Sequence, residues 1–162
     1  MLYNPKLALV RALIEEELKR QHLERGYELV STPHLFRTDL WQCSGHLDYY
    51  RELMFLFESE EQSMGIKPMN CPGHILIYKA QRHSYRELPI RLFELGTVYR
   101  NEKSGVLHGL LRVRGFTQDD AHIFLREDQL VGEIEQVLDF EFSLMRAFGL
   151  TESALATAPE PR

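Results

Sequence analysis

Cysteine is scarce in this chain: only Cys43 and Cys71 occur in 162 residues. Two cysteines cannot build a disulfide framework, and a reducing, cytoplasmic setting is expected. Long hydrophobic runs are missing too. No stretch of about 18 apolar residues occurs, which argues against a membrane span. The opening MLYNPKLALVRALIEEEL is charged too early for a signal peptide. Basic excess is absent as well: 19 Lys and Arg stand against 24 Asp and Glu, a net charge of −5. This argues against non-specific coating of nucleic acid but leaves room for a local basic face. There is no internal repeat, and the only biased segment is the final TESALATAPEPR. What remains is an ordinary globular composition, 44% hydrophobic, at a length that suits one domain with a sizeable core.

Periodicity predicts the elements. Leu7, Val10, Ile14 and Leu18 recur at helical spacing over residues 6–24, and Gly26 ends that helix. Tyr27 to Ser31 reads as a strand closed by Thr32-Pro33. A short helix is expected over Thr38 to Cys43, then strands over Leu53 to Glu58 and Gln62 to Lys67. Asn70 can cap a helix that starts at Cys71-Pro72 and runs to about His83. Two long strands follow, Ile90 to Glu102 and Leu110 to Phe124. Asp128 to Phe148 is an amphipathic helix with Leu130, Ile134, Val137, Leu138, Met145 and Phe148 as its stripe. Residues 1–150 are thus expected to hold the core, and 151–162 a frayed tail or linker. The fold class is α+β, an antiparallel sheet flanked by helices.

The second long strand carries the chemistry. Residues two apart share a face of a strand. Arg100 and Glu102 therefore point one way. Arg112, Arg114, Phe116, Gln118, Asp120 and His122 share a face of the returning strand. Paired as a hairpin, the strands make a wall with cations for phosphate, carboxylates for a donor edge and an aromatic for stacking. Val113, Ala121 and Ile123 on the other face suit a core. A solvated sheet face is the plainer alternative.

These residues resemble a known family. Tyr99-Arg100-Asn101-Glu102, followed by Arg112, Phe116 and Asp120 at four-residue intervals, resembles the second signature motif of class II aminoacyl-tRNA synthetases. MNCPGH at 69–74 together with HGLLRVRGFTQDDAHIF at 108–124 resembles the threonine-specific branch. GYELVSTP at 26–33 is similar to the first motif, and LWQCSGHLDYY at 40–50 belongs to the same likeness. It runs from about Pro5 to Gly149.

The resemblance implies activation of threonine with ATP and magnesium, then transfer to the acceptor end of tRNA(Thr). By the same likeness, Arg100 holds the α-phosphate and the substrate carboxylate, Glu102 accepts from the adenine amino group, Phe116 stacks on adenine and Arg112 contacts the phosphates. The loop 103–109 reaches tRNA. Cys71 and His122, 51 residues apart and unconnected by spacing alone, match two positions of the family's zinc site. Asp120 accepts from the threonine hydroxyl, while Met69 and Gln118 line the pocket. Pro33 and the strand before it imply a homodimer interface. Taken without the likeness, Cys71 reads as a small buried residue or a thiol of lowered pKa. His74 and His108 stand open between tRNA or phosphate contacts and plain structural histidines. Cys43 has no matching role.

The likeness stops about halfway through the family's catalytic domain. The glycine-rich third motif with its second ATP-binding arginine, the third zinc ligand, the editing domains and the anticodon-binding domain have no match. The chain reads as a truncated core with little or no aminoacylation activity of its own. A non-catalytic tRNA-binding or dimerisation module derived from such an enzyme is the alternative. A proline or serine enzyme is disfavoured by the Cys71, His122 and Asp120 set.

Overall fold

The structure, a computed structural model, describes residues 2–150, so the expected tail at 151–162 lies outside the described residues. The described residues up to Phe124 form one compact unit, and those from Leu125 a second.

The first unit opens on α1 (Pro5–Glu24), whose start is fixed by the Asn4 side chain accepting from the Leu7 N–H at 2.9 Å. Its outer face is tied by Arg20 to Glu17 and Glu24, each at 2.6 Å. Strand β1 (Glu28–Leu29) is shorter than the expected Tyr27 to Ser31. The Val30 N–H still donates to the Phe93 carbonyl at 2.9 Å, and two residues on the Thr32 N–H has left the ladder for the Glu94 carboxylate at 2.9 Å. Next come β2 (Leu35–Arg37), which periodicity missed, α2 (Thr38–Cys43) as expected, and α3 (His46–Tyr50). A hairpin of β3 (Leu56–Ser59) and β4 (Gln62–Ile66) turns at Glu60 and Glu61, whose φ values of 49° and 62° suit the left-handed two-residue turn. Sheet order is β2-β4-β3.

The central sheet is β1-β5-β6, with β5 (Ile90–Tyr99) antiparallel to β6 (Gly115–Phe124) and β1 parallel to β5. The first long strand stops earlier than periodicity suggests, and the second begins later. After Tyr99 the Arg100 N–H still donates to the Arg114 carbonyl at 2.8 Å, but the Glu102 N–H closes back on the Arg100 carbonyl at 2.8 Å. Residues 108–112 fold into their own turn, with His108 and Arg112 exchanging backbone bonds at 3.0 and 3.1 Å.

Directly opposite residues share a face, so Phe93↔Ala121 and Thr97↔Thr117 lie on one side, and Leu92↔His122 and Glu94↔Asp120 on the other. On one side lies α1: Arg11 donates to the Thr117 hydroxyl at 2.8 Å, and His22 stacks on Phe93 with centroids 4.3 Å apart. On the other lies α4 (Cys71–Lys79), which ends four residues before the expected His83. There the His83 ring N–H donates to the Tyr78 carbonyl at 2.9 Å and closes the last turn. The first turn of α4 sits against Thr32 only because residue 73 is glycine; a Cβ there would lie 2.7 Å from the Thr32 methyl.

Apolar burial centres on Trp41, Phe93, Val98, Leu92, Met54 and Tyr27. The α1 stripe is not sealed: Leu7, Val10 and Ile14 stay 41%, 49% and 37% exposed, because they face an open cavity rather than a second layer. On the α1 side of β6, Ala121 is exposed and Ile123 half-buried, so the core expected there is open too.

The second unit holds a 3₁₀ turn (Glu127–Gln129) and α5 (Leu130–Ala147). Its expected apolar stripe is largely exposed at Leu130, Ile134, Val137 and Phe148, whereas Phe140 and Glu133 are buried. None of the described helices is long and apolar enough to cross a membrane.

Candidate active site

The side of the hairpin that faces α4 carries Glu94, Gly96 and Val98 from β5, and Phe116, Gln118, Asp120 and His122 from β6. Expected wall residues Arg112 and Arg114 precede β6 and do not share its alternation. Arg114 folds back, donating from Nε to the Glu102 carbonyl at 2.9 Å and from Nη2 to the Ser104 hydroxyl at 3.3 Å.

One end of the wall borders a cavity of about 700 Å³ that lies on the α1 side, where Leu95, Thr117 and Asp119 also line it. Arg100, Glu102, Arg112 and Phe116 all line it, opposite Leu7, Val10 and Ile14 of α1. The Arg100 guanidinium lies 5.2 Å from the Phe116 ring centroid, a cation over a π face, and its Nε donates to the Pro68 carbonyl at 3.3 Å. Glu102 is buried and accepts from Arg112 Nε at 3.1 Å and Nη2 at 3.0 Å. The cationic fork and the carboxylate thus satisfy each other. An anionic ligand arriving here competes with Glu102 for Arg112, and a planar ring competes with Arg100 for Phe116.

The other end is built by the start of α4. Asn70 does not cap that helix with its side chain. The amide instead crosses to Asp120, donating from Nδ2 to Oδ2 at 2.9 Å. It can do so because it lies flat on Gly96: a Cβ at residue 96 would stand 2.5 Å from both amide heteroatoms. Gly96→Ala is therefore expected to push Asn70 off Asp120 and lower stability by about 1–3 kcal/mol. A thermal melt within experimental error of wild type would show that the amide has room to move.

Beside Asp120 stand Cys71 and His122. Burial pushes the Cys71 thiol up, and the charge of Asp120 pushes it the same way, so the lowered thiol pKa left open by the sequence does not arise. Burial lowers the His122 pKa, and the Asp120 charge works against that shift. A thiol sulfur and an imidazole nitrogen are donors that suit zinc. Among the described residues no group of three or more His, Cys, Asp or Glu is arranged to hold a metal ion. His46 Nε2 lies 3.3 Å from the Met69 sulfur. None of Met69, Cys71, Gln118, Asp120 and His122 lines the 700 Å³ cavity.

Between this face and α4 lies a buried polar cluster that sequence reasoning missed. Glu94 accepts from the Thr32 N–H at 2.9 Å, the Thr32 hydroxyl at 2.7 Å and Lys67 Nζ at 3.2 Å, and His74 Nε2 lies 3.5 Å away. Lys67 and His74 are essentially inaccessible. His74 is thus a structural histidine and cannot reach tRNA, whereas His108 is exposed. The signal in the sequence was an unusual one: a Lys beside a proline and a Glu inside an otherwise apolar strand.

Comparison with known proteins agrees with the motifs. Residues 55–158 match the family model described as tRNA synthetase class II core domain (G, H, P, S and T). A threonine–tRNA ligase of Syntrophotalea carbinolica is 57% identical over 99% of this chain and 25% of its own length. The chloroplastic/mitochondrial threonine–tRNA ligase 2 of Arabidopsis thaliana is 55% identical over the same shares. The chain thus spans about a quarter of the length of the curated relatives it matches. Among solved structures, the RNA binding domain of threonyl-tRNA synthetase from Cryptosporidium parvum superposes with a TM-score of 0.89 at 44% identity, covering 91% of this chain and 37% of that one. A prolyl-tRNA synthetase of Giardia lamblia, at 16% identity and a TM-score of 0.79 over 89% of this chain and 30% of its own, shares the fold.

Proposed function

The chain belongs to the class II tRNA synthetase core family, and on that premise we propose that residues 1–150 supply the ATP- and threonine-binding wall of a threonine–tRNA ligase. The observation that carries it is the register of β5 with β6, which sets Gln118, Asp120 and His122 on one face with Phe116 while α4 brings Cys71 to Asp120.

In the reaction, a threonine carboxylate oxygen forms a bond to the α-phosphorus of magnesium-bound ATP. The bond to the bridging oxygen breaks and pyrophosphate leaves; a ribose hydroxyl of tRNA(Thr) then displaces AMP. Such chemistry needs positioning and charge stabilisation more than covalent catalysis. Arg100 is the catalytic cation, its fixed charge and fork suiting both the carboxylate and the α-phosphate. Phe116 stacks the adenine, Glu102 accepts from its amino group and Arg112 takes a terminal phosphate. Met69 and Gln118 shape the amino-acid pocket, and Asp120 accepts from the threonine hydroxyl. Cys71 and His122 would hold zinc, which supplies a Lewis-acid position for the amino and hydroxyl groups of threonine. Its chemical value is selectivity, since an apolar pocket separates threonine from valine poorly. Homodimerisation through residues 26–33 belongs to the same proposal.

A second reading is favoured by the solved relative described as an RNA binding domain: a tRNA-binding module without catalysis. Calorimetric titration with non-hydrolysable threonyl- and valyl-adenylate analogues, with zinc present, separates the two. The catalytic wall is expected to prefer the threonyl analogue by more than roughly 100-fold. Equal affinities would remove the metal-and-Asp120 pocket. Binding of a tRNA(Thr) acceptor stem with no binding of either analogue would establish the module instead.

A further inference from the structure

His74 sits at the centre of a line of polar groups that the proposed chemistry leaves unused. Its ring is fully buried. Nε2 lies 3.5 Å from Glu94 Oε1 and has no other partner. Nδ1 lies 2.9 Å from His122 Nδ1, with the two rings nearly perpendicular at 82° and centroids 4.7 Å apart. Glu94 is also held by Thr32 and Lys67, with the Thr32 hydroxyl and Lys67 Nζ on the same Oε1.

We infer that Glu94 and His74 are positioning residues that fix His122 as the Nδ1–H tautomer, leaving its Nε2 lone pair free toward the pocket. A neutral imidazole has one N–H and one lone pair. At His74 Nε2, a lone pair would face a carboxylate across a dry interior and repel it, so the proton belongs on Nε2. His74 Nδ1 is then an acceptor. The 2.9 Å contact between two ring nitrogens requires one hydrogen, which His122 Nδ1 must supply. The other charged neighbours leave this assignment intact. Asp120 Oδ1 is 3.8 Å from His122 Nδ1, beyond hydrogen-bond reach, and its Oδ2 is occupied by Asn70. Lys67 Nζ is bonded to Glu94 Oε1 at 3.2 Å, and Cys71 offers only a weak thiol. Nε2 of His122 has no hydrogen-bond partner among the described residues.

A ring locked by a carboxylate-backed partner presents its free nitrogen in one orientation, the arrangement that strengthens a ligand of a divalent cation such as zinc. That consequence rests on His122 being a metal ligand, as proposed above; the tautomer does not.

The test uses the ¹⁵N-labelled, metal-free chain at pH 8, read by long-range ¹H–¹⁵N correlation of the imidazoles. His122 is expected as Nδ1–H and His74 as Nε2–H. In His74→Phe, which keeps a ring but no acceptor, His122 should shift to Nε2–H or a mixture. His74→Gln, whose carbonyl can accept, should restore Nδ1–H. Finding wild-type His122 as Nε2–H or averaged overturns the inference, as does an unchanged tautomer in His74→Phe. Zinc alone, titrated against a chelating dye, gives the second readout: His74→Phe should weaken binding by roughly 10–100-fold. Equal zinc affinity in the two chains overturns the positioning role. Failure of wild type to bind zinc sinks the Cys71–His122 ligand reading while the tautomer is decided independently.

Discussion

Glu94→Ala is expected to destabilise the chain by about 3–5 kcal/mol, the cost of stranding a buried charge. The residue left behind is Lys67, whose side chain is 1% exposed and whose remaining partner is Thr32. His74 would lose the carboxylate its Nε2 faces. Small domains have only about 5–15 kcal/mol in total, so the variant should melt far below wild type or fail to fold. Urea denaturation measures the difference. Combining Glu94→Leu with Lys67→Met removes both charges and should recover a large part of the loss. A single variant as stable as wild type would mean that water reaches the ammonium.

The same carboxylate gives an acid-stability signature. Burial pushes Glu94 up, but the facing His74 Nε2, the hydrogen bonds from Thr32 and the charge of Lys67 outweigh it and hold the group at about 2, below its ordinary 4.5. A depressed folded-state pKa means that the unfolded chain binds the proton more readily. The stabilisation is therefore complete above about pH 4.5 and drains away as pH falls toward about 2. Glu17, bonded to Arg20 on the exposed side of α1, is also held at about 2. The Glu94 contribution is accordingly the difference in acid slope between wild type and Glu94→Gln, which keeps the side-chain shape. Parallel slopes would contradict the assignment.

Trp41→Ala carries the other large effect, a loss of about 3–5 kcal/mol from a cavity in the smaller sheet. The indole is fully buried, edge-on to Phe36 at 5.6 Å and to His46 at 5.7 Å. It also lies against Gly65, where a Cβ would stand 3.3 Å from Nε1. Because Nε1 has no hydrogen-bond partner, Trp41→Phe should lose packing only and be milder. Since His46 leans on both Trp41 and Met69, the alanine variant should also loosen the Met69 side of the pocket. Equal melting temperatures for the alanine variant and wild type would show that the β2-β4-β3 sheet does not depend on this side chain.

The wall was legible wherever a local period sets it. Phe116, Gln118, Asp120 and His122 alternate in sequence and do share one face of β6, because a pleated strand has no other way to place them. Thr38–Cys43 and the start of α4 at Cys71-Pro72 followed from local propensity in the same way. Extrapolating the alternation to Arg112 and Arg114 failed, since a turn at 108–112 interrupts the strand and a chain that leaves the ladder loses the period. Asn70 failed for a different reason. Local rules assign its side chain to the helix that follows, but a partner 50 residues away holds it instead.

Sequence alone determined which side chains could act together along each strand, because face and spacing are properties of a few consecutive residues. Only the tertiary structure decided their partners: Asn70 with Asp120, His74 between Glu94 and His122, Arg112 with Glu102. Those pairings join segments 10 to 50 residues apart. They are set by which polar groups the packed elements shut away from water and must therefore satisfy internally, and no local period encodes that choice.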